Sequence, residues 1–569
     1  MASLVAKTVH GKKYWQLVES RRVNGKPRSF VLMHLGRPAD LLIRLQRLEE
    51  GFRTRSVSHG AVAALWSLAE ELGVVDLINA QIPRDSRGRL PRNDGVAPGV
   101  SLLLAAIGRA CKPTSKRAWA QWASTTSLPR LAGVDGARMT SQHFWDQMNL
   151  LPVEGIAQIE EALVRRVVER EGIAPDLLFY DTTNFFTFIA SDNERCTLAQ
   201  RGHSKQKRHD LRQLGLGLVV SRDGQLPLFH LLYEGSRPDA RLFPELLTSL
   251  RERVEKLFGA HTPLTLVYDK GNNSRTNQAE IDRSPLRYVG SLVPSSYPAL
   301  LAEASDRMAE VELASGERLR AYRIQRELWG VERTLIVLDS TTLCAGQVRG
   351  LHQQLNKRLR ALAQLTAGLE APRGGRGRRD ALRKRIDEIL RGQHIKGLLH
   401  VEIVERSLGR LRLQAWIDAE RYHHLTQELF GKRILMTDRH DWPTADIITA
   451  YRGQSRAERA FRELKDPGQL AVRPTFHWTD QKLKVHTFCC VLGYLLVKLL
   501  ERRARRAGVP IRSVRSLLRK LRHIRETTLV QASPEGGRPK VRRQLDEVPP
   551  AIARLAAALQ LPQPPAARS

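Results

Sequence analysis

Two short apolar runs in this chain end in the same dipeptide. LLFY (177–180) leads into Asp181, followed by Thr182, Thr183 and Asn184, and LTLVY (264–268) leads into Asp269 before the turn KGNNS. An acid inside a strand otherwise bounded by Leu, Phe and Ile carries a desolvation penalty unless a cation or hydrogen-bond donors stand near it. Taken singly, each aspartate is more often a turn or cap acid than a metal ligand; two Tyr-Asp endings suggest two carboxylates delivered to one sheet edge. The third acid comes from TADIITAYRGQSRAERAFRELK (444–465), which reads as one helix. In it Tyr451, Glu458 and Lys465 are seven apart, and at about 100° per residue seven steps fall roughly 20° short of two turns. The three side chains therefore line one face at roughly 10.5 Å intervals, with Arg462 one turn beyond Glu458 on the same face. A plain solvated helix has the same pattern. The position of this helix after two strand-end aspartates favours a site.

Three carboxylates suit Mg²⁺ or Mn²⁺, hard cations that take oxygen ligands and keep several waters, so no His/Cys cluster is required. Asp181, Asp269 and Glu458 are thus the candidate catalytic and metal-binding residues, with two ions per site bridged by Asp181. Such a pair of ions activates an attacking water or 3′-hydroxyl and stabilises the leaving oxygen in line. Phosphoryl transfer asks chiefly for positioning and neutralised charge, and Tyr451, Arg462 and Lys465 are candidates to hold the phosphates beside the cut.

The elements that must position these residues follow from the alternation and turn signals. YWQLVES and RSFVLMHL flank Asn24-Gly25, a β-hairpin pattern within 12–36. Residues 40–170 read mainly as helices, among them AVAALWSLAEELGVVDLI and VSLLLAAIGRA. From about 175 come LLFYDTTNFFTFI, GLGLVVS, a turn at Arg222-Asp223-Gly224, PLFHLLYEG, a helix over 240–258, LTLVYD, and RYVGSLV (287–293). Three meandering strands, helix, strand, helix, strand is the order of an RNase H-like α/β core, a mixed sheet covered by helices. Residues 300–440 interrupt it with strand candidates RLRAYRIQ, TLIVLD, GLLHVEIVE and RLRLQAWID and with two helices near 348–369 and 379–391. The first carries Leu351, Leu355, Leu359, Leu362 and Leu365 as an amphipathic stripe. PRGGRGRR between the helices reads as a solvated linker or as a phosphate-contacting loop.

The resulting division is 1–50, a β-hairpin module; 51–172, a helical DNA-end-binding region; 173–298, the first part of the core; 299–440, a mixed β/helical insertion with a helical hairpin; 441–507, the second part of the core with the Glu458 helix; and 508–569, a basic C-terminal region and tail.

Composition agrees with a polyanionic partner. Lys and Arg total 92 against 59 Asp and Glu in 569 residues, a formal net charge of +33, and the cations recur along the chain. Neutralising phosphates releases condensed counterions, which is why such an excess points to nucleic acid. Five cysteines without C-x-x-C spacing suit a reducing cytoplasm. The start lacks the apolar core of a secretory signal. The stretch 485–500 is short and interrupted by His486 and Lys498, so it reads as a buried helix and not as a membrane span.

YDTTNFF around Asp181, RGHSKQKRHDLRQ (201–213), VYDKGNNS around Asp269, GKRILMTDRHDW (431–442), the Tyr451–Glu458–Lys465 helix, and VRPTFHW (472–478) with His486 occur in one order. In that combination the chain resembles the bacterial insertion-sequence DDE transposases of the IS-four superfamily, over roughly 175–500. The resemblance implies an RNase H-like fold with a β-rich insertion before the catalytic Glu, which is residues 300–440 here. It also implies a DDE triad of Asp181, Asp269 and Glu458, and cut-and-paste movement of DNA with a hairpin at the element end and a flipped base. The family's Tyr-x-x-Arg-x-x-x-Glu-x-x-x-x-x-x-Lys signature binds the transposon end; this chain has Gln454 where the Arg falls, with Arg452, Arg456 and Arg462 nearby. Within GHSKQKRHDLRQ, Lys205, Lys207, Arg208 and Arg212 read either as phosphate contacts that position DNA or as an ordinary basic loop.

The expectation is therefore a cytoplasmic bacterial transposase, nucleoid-associated when bound to DNA. It acts as a homodimer on double-stranded DNA, both terminal inverted repeats and target, with no membrane partner. An RNase H-like nuclease without strand transfer and a catalytically silent DNA-binding protein are the alternatives.

Overall fold

The computed structural model describes residues 2–563 apart from 24–25, 41, 43–52, 174–175, 191, 203–207, 209, 224, 238, 260–263, 270, 272, 371–378, 407–409, 469, 473–474 and 532–539. The expected turn at Asn24-Gly25, Gly224 of the next hairpin, the basic connector as far as residue 378, and His203, Lys205, Lys207 and His209 lie outside the described residues. The chain divides into two compact units, one of Met1–Val75, Pro91–Gln147 and Leu499–Ser569, the other of Asp76–Leu90 and Met148–Lys498.

In the first unit, β1 (Ala2–Val9), β2 (Lys12–Val23) and β3 (Lys26–Gly36) form an antiparallel meander. His10 and Gly11 both take positive φ, 48° and 74°, as a two-residue hairpin requires, and close β1 on β2 at the Val9–Lys12 pair. The alternation read over 12–36 accounts for β2 and β3 but not for β1. Strand β4 (Arg53–Ser58) precedes the helices α1 (Gly60–Glu71), α2 (Pro98–Cys111) and α3 (Lys116–Ala123). Their apolar faces are buried through Leu65, Leu68, Leu102 to Leu104, Ile107 and Trp119, as the helical pattern in 40–170 leads one to expect.

The second unit is a mixed α/β layer structure built on one large sheet. Helix α4 (Val153–Glu171) leads into β5 (Leu177–Phe186), β6 (Gln213–Ser221) and β7 (Pro227–Glu234), then α5 (Asp239–Phe258), β8 (Thr265–Val267), α6 (Arg275–Asp282) and β9 (Arg287–Leu292). The expected order of three strands, helix, strand, helix, strand is the order found. β5, β6 and β7 pair antiparallel, while β8 and β9 run parallel to β5. Parallel strands buried on both faces need near-continuous apolar runs, and β8 and all but the first residue of β9 are buried.

The sheet does not stop at β9. Strands β10 (Ala309–Glu312), β11 (Arg318–Leu328) and β12 (Val331–Asp339) belong to it, and so does a later strand that pairs between β12 and β9. What leaves the sheet is α7 (Thr341–Glu370), α8 (Arg379–Ile389) and the hairpin β13 (Leu399–Arg406)–β14 (Arg410–Ile417). The sheet resumes at β15 (Lys432–Thr437), giving the order β10-β11-β12-β15-β9-β8-β5-β6-β7. The insertion expected over 299–440 is thus narrower: its strands up to 339 extend the main sheet. The six consecutive buried residues of β12, Arg333 to Leu338, are those of an interior strand. The part that departs has its own core, in which Leu351, Leu355, Leu362 and Leu365 of α7 meet Leu382 and Ile386 of α8 and Leu399, Leu411 and Leu413 of the hairpin.

Helices α9 (Thr444–Arg452), α10 (Ser455–Lys465) and α11 (Asp480–Arg506) follow. The single helix read over 444–465 is therefore two, broken at Gly453-Gln454. Helix α11 contains the apolar stretch 485–500; among the described residues it is the one helix long and apolar enough to cross a membrane, and its most apolar window is 94% buried.

The chain then returns to the first unit. Helix α12 (Val514–Leu521) is followed by β16 (Arg525–Gln531) and β17 (Lys540–Leu545), and β16 pairs antiparallel with β17 on one side and with β4 on the other. Residues 525–531 and 540–545 of the basic C-terminal region thus complete a sheet begun by residues 53–58. Arginines at Arg53, Arg55, Arg525, Arg542 and Arg543 obscure the alternation of these strands in the sequence.

Candidate active site

Asp181 sits where β5 outruns its parallel neighbour. The last β5–β8 pair is Phe179 with Val267; Asp181 and Asp269 each lie two residues further on. Because strand side chains alternate, two residues is one full period, so Asp181 points to the same face as Phe179. Asp181 Oδ1 accepts a hydrogen bond from the Thr182 amide at 2.8 Å. The Tyr268 amide, next to Asp269, still donates to the Val289 carbonyl of β9 at 3.2 Å.

The junction of α9 and α10 lies over that face. A Cβ on Gly453 would stand 2.3 Å from Cζ of Phe179, so only glycine lets the ring and the backbone meet. At the next residue, Gln454 Nε2 donates to the Tyr180 carbonyl at 2.7 Å, just past the end of β8. Gln454 is 7% exposed, and its Oε1 is buried with no hydrogen-bond partner among the described residues. At the far end of α10, Lys465 Nζ donates to Thr183 Oγ1 and stands 5.3 Å from the centre of the Phe185 ring. Helix α10 is thus anchored to β5 at both ends, and exposed Glu458 lies between the anchors.

Asp269 and Glu458 line one cavity of about 490 Å³, together with Tyr451, Gln454, Arg433 and Ser291. Asp181 is not among its lining residues. Among the described residues, no three His, Cys, Asp or Glu side chains form a ready metal-binding cluster. The expected gathering of three acids is met in part: two share a cavity, and the third projects from the sheet face that α10 crosses.

Tyr451 departs from its expected role. It is buried, its hydroxyl is 3.0 Å from Asp269 Oδ1 and 2.8 Å from Ser291 Oγ, and the Arg433 guanidinium lies 5.2 Å from its ring centre. With one proton to give, the phenol donates to the carboxylate and accepts from the serine. Burial raises its pKa and the Asp269 charge adds to the rise, against smaller opposing effects of Ser291 and Arg433. Because the helix breaks at Gly453, Tyr451, Glu458 and Lys465 do not share one helix face.

No protein-family model matches this chain, and no curated protein matches its sequence. Among solved structures, the cryo-EM structure of a piggyBac transposase synaptic complex with hairpin DNA is similar over 81% of this chain and 78% of that one, at 8% identity and a TM-score of 0.36. A likeness at that level assigns neither fold nor activity.

The remaining candidates differ in their freedom to meet a phosphate. Arg462 is exposed on α10, one turn beyond Glu458. Lys465 is half-buried and engaged with Thr183. Arg208 is exposed but chelates Asp210 through Nε at 2.8 Å and Nη2 at 2.7 Å, and that hydrogen bonding pulls the Asp210 carboxyl down to about 2. Lys205 lies outside the described residues. Sequence reasoning missed Ser291, whose hydroxyl supports Tyr451 and whose carbonyl accepts from Asn273 Nδ2 at 3.0 Å. The available signal was a lone serine inside the apolar run YVGSLV. His486, quoted from the sequence pattern, is buried, with Nε2 3.1 Å from the Val472 carbonyl and its ring 4.4 Å from that of His477.

Proposed function

We propose that this chain is a DNA transposase that cleaves and rejoins DNA strands through Asp181, Asp269 and Glu458. The observation that carries the reading is the relation of the two aspartates. They follow paired residues of neighbouring parallel strands, and a helix bearing a glutamate crosses that face of the sheet. The strand order β7-β6-β5-β8-β9 and the helices between its strands favour an RNase H-like core for this part of the sheet.

The donor set fits divalent Mg²⁺ or Mn²⁺, two per site. Carboxylate oxygens are the ligands such hard cations take, and the unpartnered Gln454 Oε1 beside Asp269 and Glu458 suits a hydrated ion's water. When bound, these ions neutralise phosphoryl oxygens and sharpen the attacking hydroxyl. The chain's own residues do the positioning. Tyr451 holds Asp269, Gln454 and Lys465 fix α10 on β5, and Arg462 stands free near Glu458 to meet a phosphate. The substrate is double-stranded DNA, the terminal inverted repeats of an element and its target. Pairing two ends calls for two copies of the chain.

The test is incubation of the purified protein with Mg²⁺ and DNA carrying inverted repeats from the flanks of its gene. Strand-transfer products are expected, and Asp181→Ala, Asp269→Ala and Glu458→Ala should each abolish them while leaving DNA binding intact. Nicks without joining would reduce the reading to a nuclease, and binding without cleavage would reject catalysis.

A further inference from the structure

The small sheet β4-β16-β17 in the first unit carries arginine on one face. Thr528 pairs with Arg55 on one side and Arg543 on the other. The three side chains therefore stand abreast on one face, with the Arg55 and Arg543 backbones two strand spacings apart, roughly 10 Å. Arg53, two residues before Arg55 and opposite Val530, projects from the same face. This face walls a cavity of about 750 Å³ whose lining includes Arg55, Thr528, Arg543 and Arg130.

The charges in and beside this cavity do not cancel. Its two acids are already engaged. Glu526 is buried and receives Arg130 through both carboxylate oxygens, with His59 Nδ1 3.4 Å away. Asp135 Oδ1 accepts from the Ala137 amide at 3.0 Å, and Oδ2 is 3.6 Å from Arg138. Arg55 donates to a neutral group, the Ser124 carbonyl, at 2.7 Å. Among the described residues Arg53, Arg55 and Arg543 have no carboxylate partner, and the Thr528 hydroxyl has no hydrogen-bond partner. Three guanidinium groups without a carboxylate partner among the described residues, set around the Thr528 hydroxyl on one strand register, form an anion cradle of the kind arginine makes for phosphodiesters.

We propose that this face, Arg53, Arg55, Thr528 and Arg543, docks the sugar–phosphate backbone of duplex DNA. The choice of DNA as occupant rests on the transposase reading. The contact itself is separate from the Asp181–Asp269–Glu458 site and needs no metal. It positions DNA and reads no bases.

The experiment measures binding of the full chain to a labelled duplex in EDTA by fluorescence anisotropy across a salt series. Each phosphate contact contributes about 0.9 to the slope of log K against log salt. Arg53→Gln/Arg55→Gln/Arg543→Gln should therefore lower the slope by roughly 2 to 3, and the corresponding Lys triple should retain most of it. Should the Gln triple unfold, Arg53→Gln/Arg543→Gln carries the test, since neither side chain anchors described structure; its slope should fall by about 1.8. A folded variant with the parent's slope overturns the proposal, as does tighter binding of duplex RNA than of duplex DNA through the same arginines. Cleavage is scored in a parallel assay with Mg²⁺ on the same duplex. A parent protein that binds with the arginine-dependent slope but does not cut would sink the active-site reading alone, and one that cuts while the Gln variants keep its slope would sink this proposal alone.

Discussion

Tyr451 and Asp269, 182 residues apart, meet through a hydrogen bond of 3.0 Å from the buried phenol to the carboxylate. This bond fixes which way Asp269 faces, because Ser291 on β9 holds the phenol oxygen from the other side at 2.8 Å. A carboxylate past the end of a three-residue strand would otherwise be free to rotate away from the cavity it shares with Glu458. Tyr451 is thus a positioning residue for an acid, set on the last turn of α9.

Tyr451→Phe tests this directly. A hydrogen bond to a charged group is worth roughly 1.5–3 kcal/mol, so strand cleavage should fall roughly 10- to 100-fold while duplex affinity in EDTA stays at the parent value. A phosphate-binding Tyr451 would give the opposite split, weaker DNA binding at unchanged maximal rate. Because the phenol's pKa is raised, its proton is retained past its ordinary value near 10, so the parent's rate should show no alkaline loss assignable to this group below that pH.

Much of the central sheet was legible because β5 to β9 are apolar runs separated by turn residues, and that pattern fixes their order with two helices between. The break in the Glu458 helix was not legible. A glycine within a helical period is tolerated, and nothing local announces that the Phe179 ring, 274 residues upstream of Gly453, occupies the space. The extension of the sheet by β10 to β12 was also hidden, since Thr334 pairs with Thr437 across an intervening helical hairpin. Both aspartates stood out as acids after apolar strands, whereas Ser291 did not, being small and neutral.

Gly453→Ala should damage catalysis through placement. Its Cβ would stand 2.3 Å from Phe179 Cζ and 2.9 Å from the Ala450 carbonyl oxygen, and overpacking of this kind costs about 1–3 kcal/mol. Either the ring or the start of α10 must move, and the latter carries Glu458. Cleavage is expected to fall by more than the lost folded fraction, with hydrogen exchange at Ser455–Lys465 accelerated. Gln454→Leu should act likewise, removing its hydrogen bond to the Tyr180 carbonyl at a cost of about 0.5–1.5 kcal/mol; parent-like exchange and rate in both variants would refute the account.

Arg333 is wholly buried and holds Asp282 through two bonds of 3.0 and 2.6 Å, the Tyr288 hydroxyl, and the Leu328 carbonyl at 3.0 Å. It joins β12, α6 and β9. Arg333→Met leaves Asp282 partly exposed and still bonded by Gln278 Nε2, so its cost lies in the core, where the Tyr288 hydroxyl and Leu328 carbonyl lose this donor, at about 1–3 kcal/mol. Because the two side chains interact, the double variant Arg333→Met/Asp282→Leu should be less destabilised than the sum of the two single variants. Denaturant unfolding of the second unit measures all three, and strict additivity would exclude the ion pair as a contributor.

In the first unit, His59 is buried at the start of α1, with Nδ1 2.8 Å from Ser127 Oγ and 3.4 Å from Glu526, and Nε2 3.3 Å from the Pro562 carbonyl. Burial lowers its pKa, outweighing the raising effects of the Pro562 carbonyl and the Glu526 charge. The folded state therefore binds a proton less readily than the unfolded chain, whose histidine titrates near 6.5. By linkage, the stability associated with neutral His59 is fully present above about 6.5 and declines as pH falls through that value toward the folded pKa. Melting of this unit should drop between neutral and mildly acidic pH, and hydrogen exchange in β16 should rise with it. His59→Gln should flatten that dependence, because the replacement cannot take up the proton. If the variant keeps the parent's full acid sensitivity, the dependence belongs to another group, and His59 is a neutral spacer between β16 and the α3–α4 segment.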